Sequence, residues 1–294
     1  MTTAWALRGG ASFAAAQAGM ARALLETGHH PDMLLGASAG ALNAAWLAAD
    51  PTPAGVAALE QLWARARRPQ VFPVRPWTVL NGLLGRGDHV VSSGPLANWL
   101  RKVNVLRRLE EGALPLTVVA TDLETGKEVL LERGPTLPAL LASTAIPGVF
   151  PPVRLGGRWL VDGSVAMDTA VGPAVAAGAD RVWVLDGVPA VQGARPRSAL
   201  DVLLRSSSML LSRNHAAQVA LWRGRCELYV VPAPLVPGVS PFDFAHSTQL
   251  IDAAYRSTLE WLAATPSLGL GNGQNSGEAP RMGDEPDQGP SVRG

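Results

Sequence analysis

Asp32-Met33-Leu34-Leu35-Gly36-Ala37-Ser38-Ala39-Gly40 is the stretch on which the reading of this chain turns. The apolar run Met33–Leu35 within Asp32–Gly36 reads as a buried strand, and Ala39–Ala49 as a helix stopped by Asp50-Pro51. Between them Gly36-Ala37-Ser38-Ala39-Gly40 is a G-x-S-x-G sequence in the strand–turn–helix setting that a nucleophile elbow requires. The chemistry explains the spacing. A reactive serine must project from a tight turn with strained dihedrals, and glycines two residues to either side let neighbouring backbone pass without a Cβ in the way. A helix that begins just past the serine aims its N–H groups and positive dipole end at a developing oxyanion. The competing reading is a Gly/Ser turn kept for packing.

The same grammar occurs upstream. Thr3–Arg8 is strand-like, Gly9-Gly10 breaks it, and Ala11–Thr27 is a run of helix formers stopped by Gly28. Two such units in succession predict an α/β fold with a parallel sheet covered by helices. Arg8-Gly9-Gly10-Ala11-Ser12 opens the first helix, so its backbone N–H groups suit an anion. It lacks both the Gly-Lys-Ser/Thr ending of a P-loop and the G-x-G-x-x-G register of a dinucleotide site. Beside a nucleophile on the next strand it fits better as an oxyanion hole, the alternative being a helix start that needs small residues.

A serine is a poor nucleophile without a base. Asp162, Asp186, His215 and His246 are the candidates. Val161-Asp162-Gly163-Ser164 follows the strand-like Arg158–Val161 and is either a hairpin turn or a strand-end carboxylate of the kind open α/β sheets place at their sites. A carboxylate pKa starts near 4, so a carboxylate base calls for partial burial. Elsewhere Leu116–Thr121, Lys127–Leu131, Arg181–Asp186 and Glu227–Val231 read as strands. Gly55–Arg67, Thr136–Ser143, Ala170–Ala179, Ala199–Arg223 and Gln249–Ala264 read as helices, with Trp99 and Trp222 as core residues. The Pro/Trp/Gly-rich stretch 69–87 has no legible regular structure; within it 71–84 is either a lid or lipid-contact segment, with Arg75 and Trp77 suited to a membrane boundary, or a packed cap. Arg65, Arg67 and Arg68 form a solvated helix end or a phosphate-seeking patch.

Composition narrows the function classes. The 294 residues suffice for a large core, and the whole carries a net charge of only +1, which argues against nucleic acid as a partner. Charged residues are 17% and hydrophobic ones 47%, an apolar balance owed largely to alanine. A single cysteine, Cys226, rules out an intramolecular disulfide, and the five histidines lack metal-ligand spacing, so no metal is expected. No export signal or spanning run is legible, which makes a cytoplasmic location, with peripheral membrane contact at most, the expectation. Residues 1–264 read as one hydrolase-type domain and 265–294, rich in Gly, Pro and Ser, as a disordered tail.

Gly9-Gly10 with Gln17-Ala18-Gly19, the Gly36–Gly40 elbow, Ala120-Thr121-Asp122-Leu123-Glu124-Thr125-Gly126, the segment from Ala142 through Pro152, and Asp162-Gly163 occur in the order seen in bacterial patatin-like phospholipases, which the chain resembles from about Thr3 to Ala179. The resemblance implies a three-layer α/β/α patatin-like fold with a mostly parallel central sheet. It also implies hydrolysis of lipid acyl esters by a Ser–Asp dyad without a cofactor. Ser38 would be the nucleophile, Asp162 its base, and the backbone of Gly9, Gly10 and Ala11 the oxyanion hole, with Gly36, Gly40 and Gly163 as supporting motif positions. The chain departs from the family pattern at Phe13, where an Arg or Lys is frequent, and at Arg8, in place of the first glycine, leaving Arg8 as the candidate to restore the charge. Ser164 and Asp168 are further departures. Two rival readings stand beside the dyad: a Ser-His-Asp esterase using Asp186 with His215 or His246, and a non-catalytic interaction protein that keeps the fold.

Overall fold

The computed structural model describes residues 1–73, 87–103, 105–167, 169–189 and 199–265. Its strands are β1 (Thr3–Leu7), β2 (Met33–Ala37), β3 (Leu116–Asp122), β4 (Glu128–Leu131), β5 (Val153–Leu155), β6 (Arg158–Asp162), β7 (Arg181–Leu185) and β8 (Glu227–Val231). Its helices are α1 (Ala15–Glu26), α2 (Ala39–Ala49), α3 (Pro53–Arg65), the single turn α4 (Arg68–Val71), α5 (Gly94–Val103), α6 (Thr136–Ser143), α7 (Val171–Ala176), α8 (Ala199–Trp222) and α9 (Ser247–Ala263).

The strands form one sheet in the order β5-β6-β3-β2-β1-β7-β8, with β4 on the side of β3. β3, β2, β1, β7 and β8 are parallel to one another, whereas β4 and β6 run antiparallel to β3 and β5 antiparallel to β6. The central strands are buried on both sides, which is why they read as continuous apolar runs. Alternation still sorts their side chains between two faces. Trp5, Leu7, Leu34 and Trp183 enter the larger core under α1, α2, α3 and α9, while Ala4, Ala6, Leu35 and Val182 meet α7 on the other face. The result is the helix-covered, mostly parallel sheet that the two strand–turn–helix units predict, in the three-layer α/β/α form that the family resemblance implies.

Several boundaries differ from the sequence reading for local reasons. Ala11–Ala14 is a 3-10 turn, so α1 begins only at Ala15. α3 begins at Pro53 because Thr52 Oγ1 accepts the Gly55 N–H and proline occupies the first turn, where no donor is missed. The expected helix 170–179 shrinks to the six residues of α7. Trp99 is core, but Trp222 is only half-buried, at the end of α8. α9 starts at Ser247, and His246 makes no side-chain cap to it. The strand-like Arg158–Val161 is β6, whereas its hairpin partner β5 and the helix α5 have no counterpart in the sequence reading. Residues 74–86, with Arg75 and Trp77, as well as Asp168 and 266–294, lie outside the described residues.

Candidate active site

The sheet register brings the two key segments together. Ala37 at the end of β2 pairs with Val119 of β3, and the next residue, Ala120, lies opposite Asp162 of β6. Chain separated by 124 residues thus converges at the parallel strands' C-terminal edge, where Ser38 Oγ donates a hydrogen bond of 2.6 Å to Asp162 Oδ2. Both residues are buried, Ser38 at 7% and Asp162 at 4% exposure.

Ser38 holds φ 54° and ψ −129° as the N-cap of α2. Among the described residues only Ala11, at φ 50°, shares a positive φ without being glycine. Such backbone costs on the order of 1–3 kcal/mol at each residue and needs surrounding contacts to hold it. At Ser38 they are identifiable. Its N–H donates to Ser143 Oγ at 2.9 Å, and Gly40 lets the turn close on β1, since a Cβ there would sit 2.2 Å from the Leu7 carbonyl oxygen. Gly36 is similarly closed in by the Gly40 carbonyl.

Asp162 is fixed from three sides. Its Oδ1 accepts the Ser164 N–H at 2.9 Å, its own N–H donates to Ala145 O at 2.9 Å, and its carbonyl accepts Thr121 Oγ1 at 2.8 Å. Gly163 turns the chain against Val119, too close for any side chain. Sequence reasoning assigned no role to Thr121, Ser143 or Ala145. Their signal was their place inside the two quoted motif segments around 120–126 and 142–152.

The Gly9–Ala11 loop lies against the elbow: a Cβ on Gly9 would be 3.0 Å from Ser38 Cβ and 2.4 Å from Ser164 Oγ. Among the described residues no backbone carbonyl takes the N–H of Gly10 or Ala11. A buried amide relay carries the loop from beneath. Gln17 Nε2 donates to Arg8 O at 2.6 Å and to Leu185 O at 3.0 Å, Asn43 Nδ2 donates to Gln17 Oε1 at 2.8 Å, and Trp63 Nε1 donates to Asn43 Oδ1 at 2.8 Å. Phe13 is a core residue. An apolar cavity of about 50 Å³ opens beside Ser38, walled by Ala11, Leu42, Trp63, Phe72 and Phe150.

The other candidates gather elsewhere. Arg8 does not face the site as a free charge: its Nη1 donates to Asp186 Oδ1 at 2.9 Å and Oδ2 at 3.1 Å. His215 Nε2 lies 3.4 Å from Asp186 Oδ2, and its Nδ1 is 2.5 Å from Thr169 Oγ1. Burial lowers the His215 pKa, the Arg8 guanidinium lowers it further, and Asp186 opposes both. His246 Nδ1 pairs with Asp243 Oδ2 at 2.7 Å. Among the described residues, then, no histidine bonds Ser38. Arg67 Nη1 donates to the carbonyls of Ala64 and Ala66, serving the end of α3, and with Arg68 it lines an open cleft of about 430 Å³. No helix among the described residues is long and apolar enough to cross a membrane.

A model of the patatin-like phospholipase family matches residues 6–175. Over 72 residues the chain is 43% identical to NTE family proteins of Mycobacterium tuberculosis and Mycobacterium bovis, a match spanning 24% of this chain and 20% of each relative. VipD from Legionella pneumophila aligns over 90% of this chain and 67% of its own, at 14% identity and a TM-score of 0.47. Human GIVD cytosolic phospholipase A2, in complex with the inhibitor methyl gamma-linolenyl fluorophosphonate and terbium chloride, aligns over 90% of this chain and 58% of its own, at 13% identity and a TM-score of 0.48. With the family model spanning more than half of its length, from β1 past Asp162, the chain belongs to the patatin-like phospholipase family.

Proposed function

We propose that this chain hydrolyses acyl esters of lipids at Ser38, with Asp162 as general base. The observation that carries the reading is the buried 2.6 Å hydrogen bond from Ser38 Oγ to Asp162 Oδ2, made by a serine on strained backbone at a helix N-terminus. Asp162 takes the hydroxyl proton as Ser38 Oγ bonds to the ester carbonyl carbon. The carbonyl oxygen becomes an oxyanion facing the N–H groups of Gly9, Gly10 and Ala11, where a single donor is worth about 3 kcal/mol. The C–O bond to the alcohol breaks as Asp162 returns its proton to the departing oxygen. Water, deprotonated by Asp162, then attacks the acyl-serine; the bond from the acyl carbon to Ser38 Oγ breaks as Asp162 returns that proton to Oγ, and the carboxylic acid leaves. The apolar walls around Ser38 suit the acyl chain, which supports a lipid rather than a polar ester as substrate.

Hydrolysis of a panel of phospholipids, lysophospholipids, triacylglycerols and short soluble esters tests this, alongside labelling by an active-site fluorophosphonate. The expected result is turnover and labelling that both vanish in Ser38→Ala. Full turnover in Ser38→Ala overturns the nucleophile. Absence of turnover and labelling in the native chain leaves the non-catalytic reading in its place. Liposome binding tests peripheral membrane contact separately.

A further inference from the structure

Asp186 and His215 were candidates for a triad. The fold gives them another neighbour: the residue that leads into the oxyanion loop. Arg8 directly precedes Gly9-Gly10, and its guanidinium, 4% exposed, grips both oxygens of Asp186. Its Nη2 reaches Ser212 Oγ of α8 at 3.3 Å. Asp186 Oδ1 also accepts the Val188 N–H at 3.0 Å, and the Val188 side chain fills the space where a Gly10 Cβ would point, 2.7 Å away. Behind Asp186, His215 joins that carboxylate to Thr169, on the stretch that follows Asp162. The Arg8 carbonyl, held by Gln17, packs where a Gly40 Cβ would be 2.6 Å from it. One residue thus has its main chain wedged under the nucleophile turn and its side chain anchored to Asp186.

We propose that Arg8, Asp186 and His215 form a positioning clamp that sets the Gly9–Ala11 loop at the distance from Ser38 needed to receive the oxyanion. The proposal rests on acyl-ester hydrolysis at Ser38. None of the three touches the reacting atoms. They act through main chain that has two features requiring outside support, the positive φ of Ala11 and the near-contact of Gly9 with Ser38. With Nε2 3.4 Å from Asp186 Oδ2 and Nδ1 beside the Thr169 hydroxyl, the tautomer with its hydrogen on Nε2 turns a donor to the carboxylate and an acceptor to the hydroxyl. Glutamine can reproduce that donor–acceptor pair; leucine cannot.

The distinguishing measurement compares an ester with its thionoester, in which sulfur replaces the carbonyl oxygen. A sulfur anion gains far less from N–H donors, so the oxygen-over-sulfur ratio of kcat reports the oxyanion loop and not the amount of folded protein. Rates are normalised to sites titrated with fluorophosphonate. Asp186→Asn is expected to lower kcat on the oxygen ester about tenfold, with KM within about twofold and the oxygen-over-sulfur ratio falling in step. His215→Leu should do the same to a smaller degree and His215→Gln should restore the ratio. Arg8→Lys, which keeps the charge but loses the fork, serves if Asp186→Asn does not fold. An unchanged ratio per titrated site in whichever of Asp186→Asn and Arg8→Lys folds, together with an unchanged ratio in His215→Leu, overturns the clamp while leaving the proposed function intact. A native chain that cleaves no ester and takes up no fluorophosphonate fails the function itself.

Discussion

Two aspartates stand at the same edge of the sheet, Asp162 buried and Asp186 half-buried, and face different partners. Asp162 receives a hydroxyl from Ser38 and an N–H from Ser164. Asp186 receives two contacts from the Arg8 guanidinium and an N–H from Val188, with the His215 imidazole beside it. A guanidinium does not release its proton in water, so the Arg8–Asp186 contact orients but transfers nothing. A serine hydroxyl can hand its proton over if the acceptor is aligned. The same side chain on the same rim is therefore suited to chemistry in one place and to anchoring in the other, and the partner decides which.

The comparison breaks most visibly at Ser38. Ser38→Ala should lower kcat by about 10⁶-fold, because nucleophile and base act as a unit. Asp162→Asn keeps the shape but cannot take the proton, and a loss of about 10⁴-fold in kcat is expected. Steady-state kinetics on the best ester of the panel measures both. If Asp162→Asn lost no more than Asp186→Asn, the two carboxylates would be equivalent, and the contrast drawn from their partners would be wrong.

Gly40→Ala strikes the residue wedged between the two regions. The new methyl would lie 2.2 Å from Leu7 O and 2.6 Å from Arg8 O, both backbone atoms that cannot swing aside. A loss of about 3 kcal/mol is expected in denaturant unfolding, as for other overpacked sites. An unfolding midpoint equal to that of the native chain would mean the elbow has slack that the packing denies.

How much of this was legible in the sequence depends on how local the signal is. The Gly36–Gly40 turn was legible because the strand, the glycines and the helix lie within one short stretch. Asp162 was legible as one candidate among four, and the ordered motifs singled it out; its register opposite Ala120 was not. The roles of Thr121 and Ser143 were hidden because hydroxyls in a strand and a helix look like any others until folding places them against Asp162 and Ser38. The Arg8–Asp186 pair joins residues 178 apart, and its other arm reaches α8 across 204. No spacing rule reaches that far. Arg8 therefore read as a charge for the oxyanion, whereas its guanidinium is committed to Asp186. β5, the partner of the legible β6, was missed because Val153–Leu155 is only a three-residue strand, half open to solvent, with little alternation to read.

The smallest expected effect separates the regions by pH. His215, in the Asp186 region, has its pKa lowered from 6.5 chiefly by burial and then by Arg8. His29, packed on Trp183 at the opposite end of the sheet, has its pKa lowered by burial, Arg181 and His30. Each histidine is therefore protonated less readily in the folded chain than in the unfolded one. Between the lowered value and 6.5 the unfolded state binds more protons, so stability rises with pH across that window and is lost as pH falls below about 6.5. Scans at pH 7.5 and 5.5, above the ordinary carboxylate range, should give a melting temperature about 2–4 °C lower at the acidic end. His215→Gln and His29→Gln should each flatten the slope, and only His215→Leu should also disturb the oxygen-over-sulfur ratio. Were His29→Gln to change that ratio, the positioning effect would spread through the whole sheet, and the local contrast between Asp162 and Asp186 would lose its physical basis.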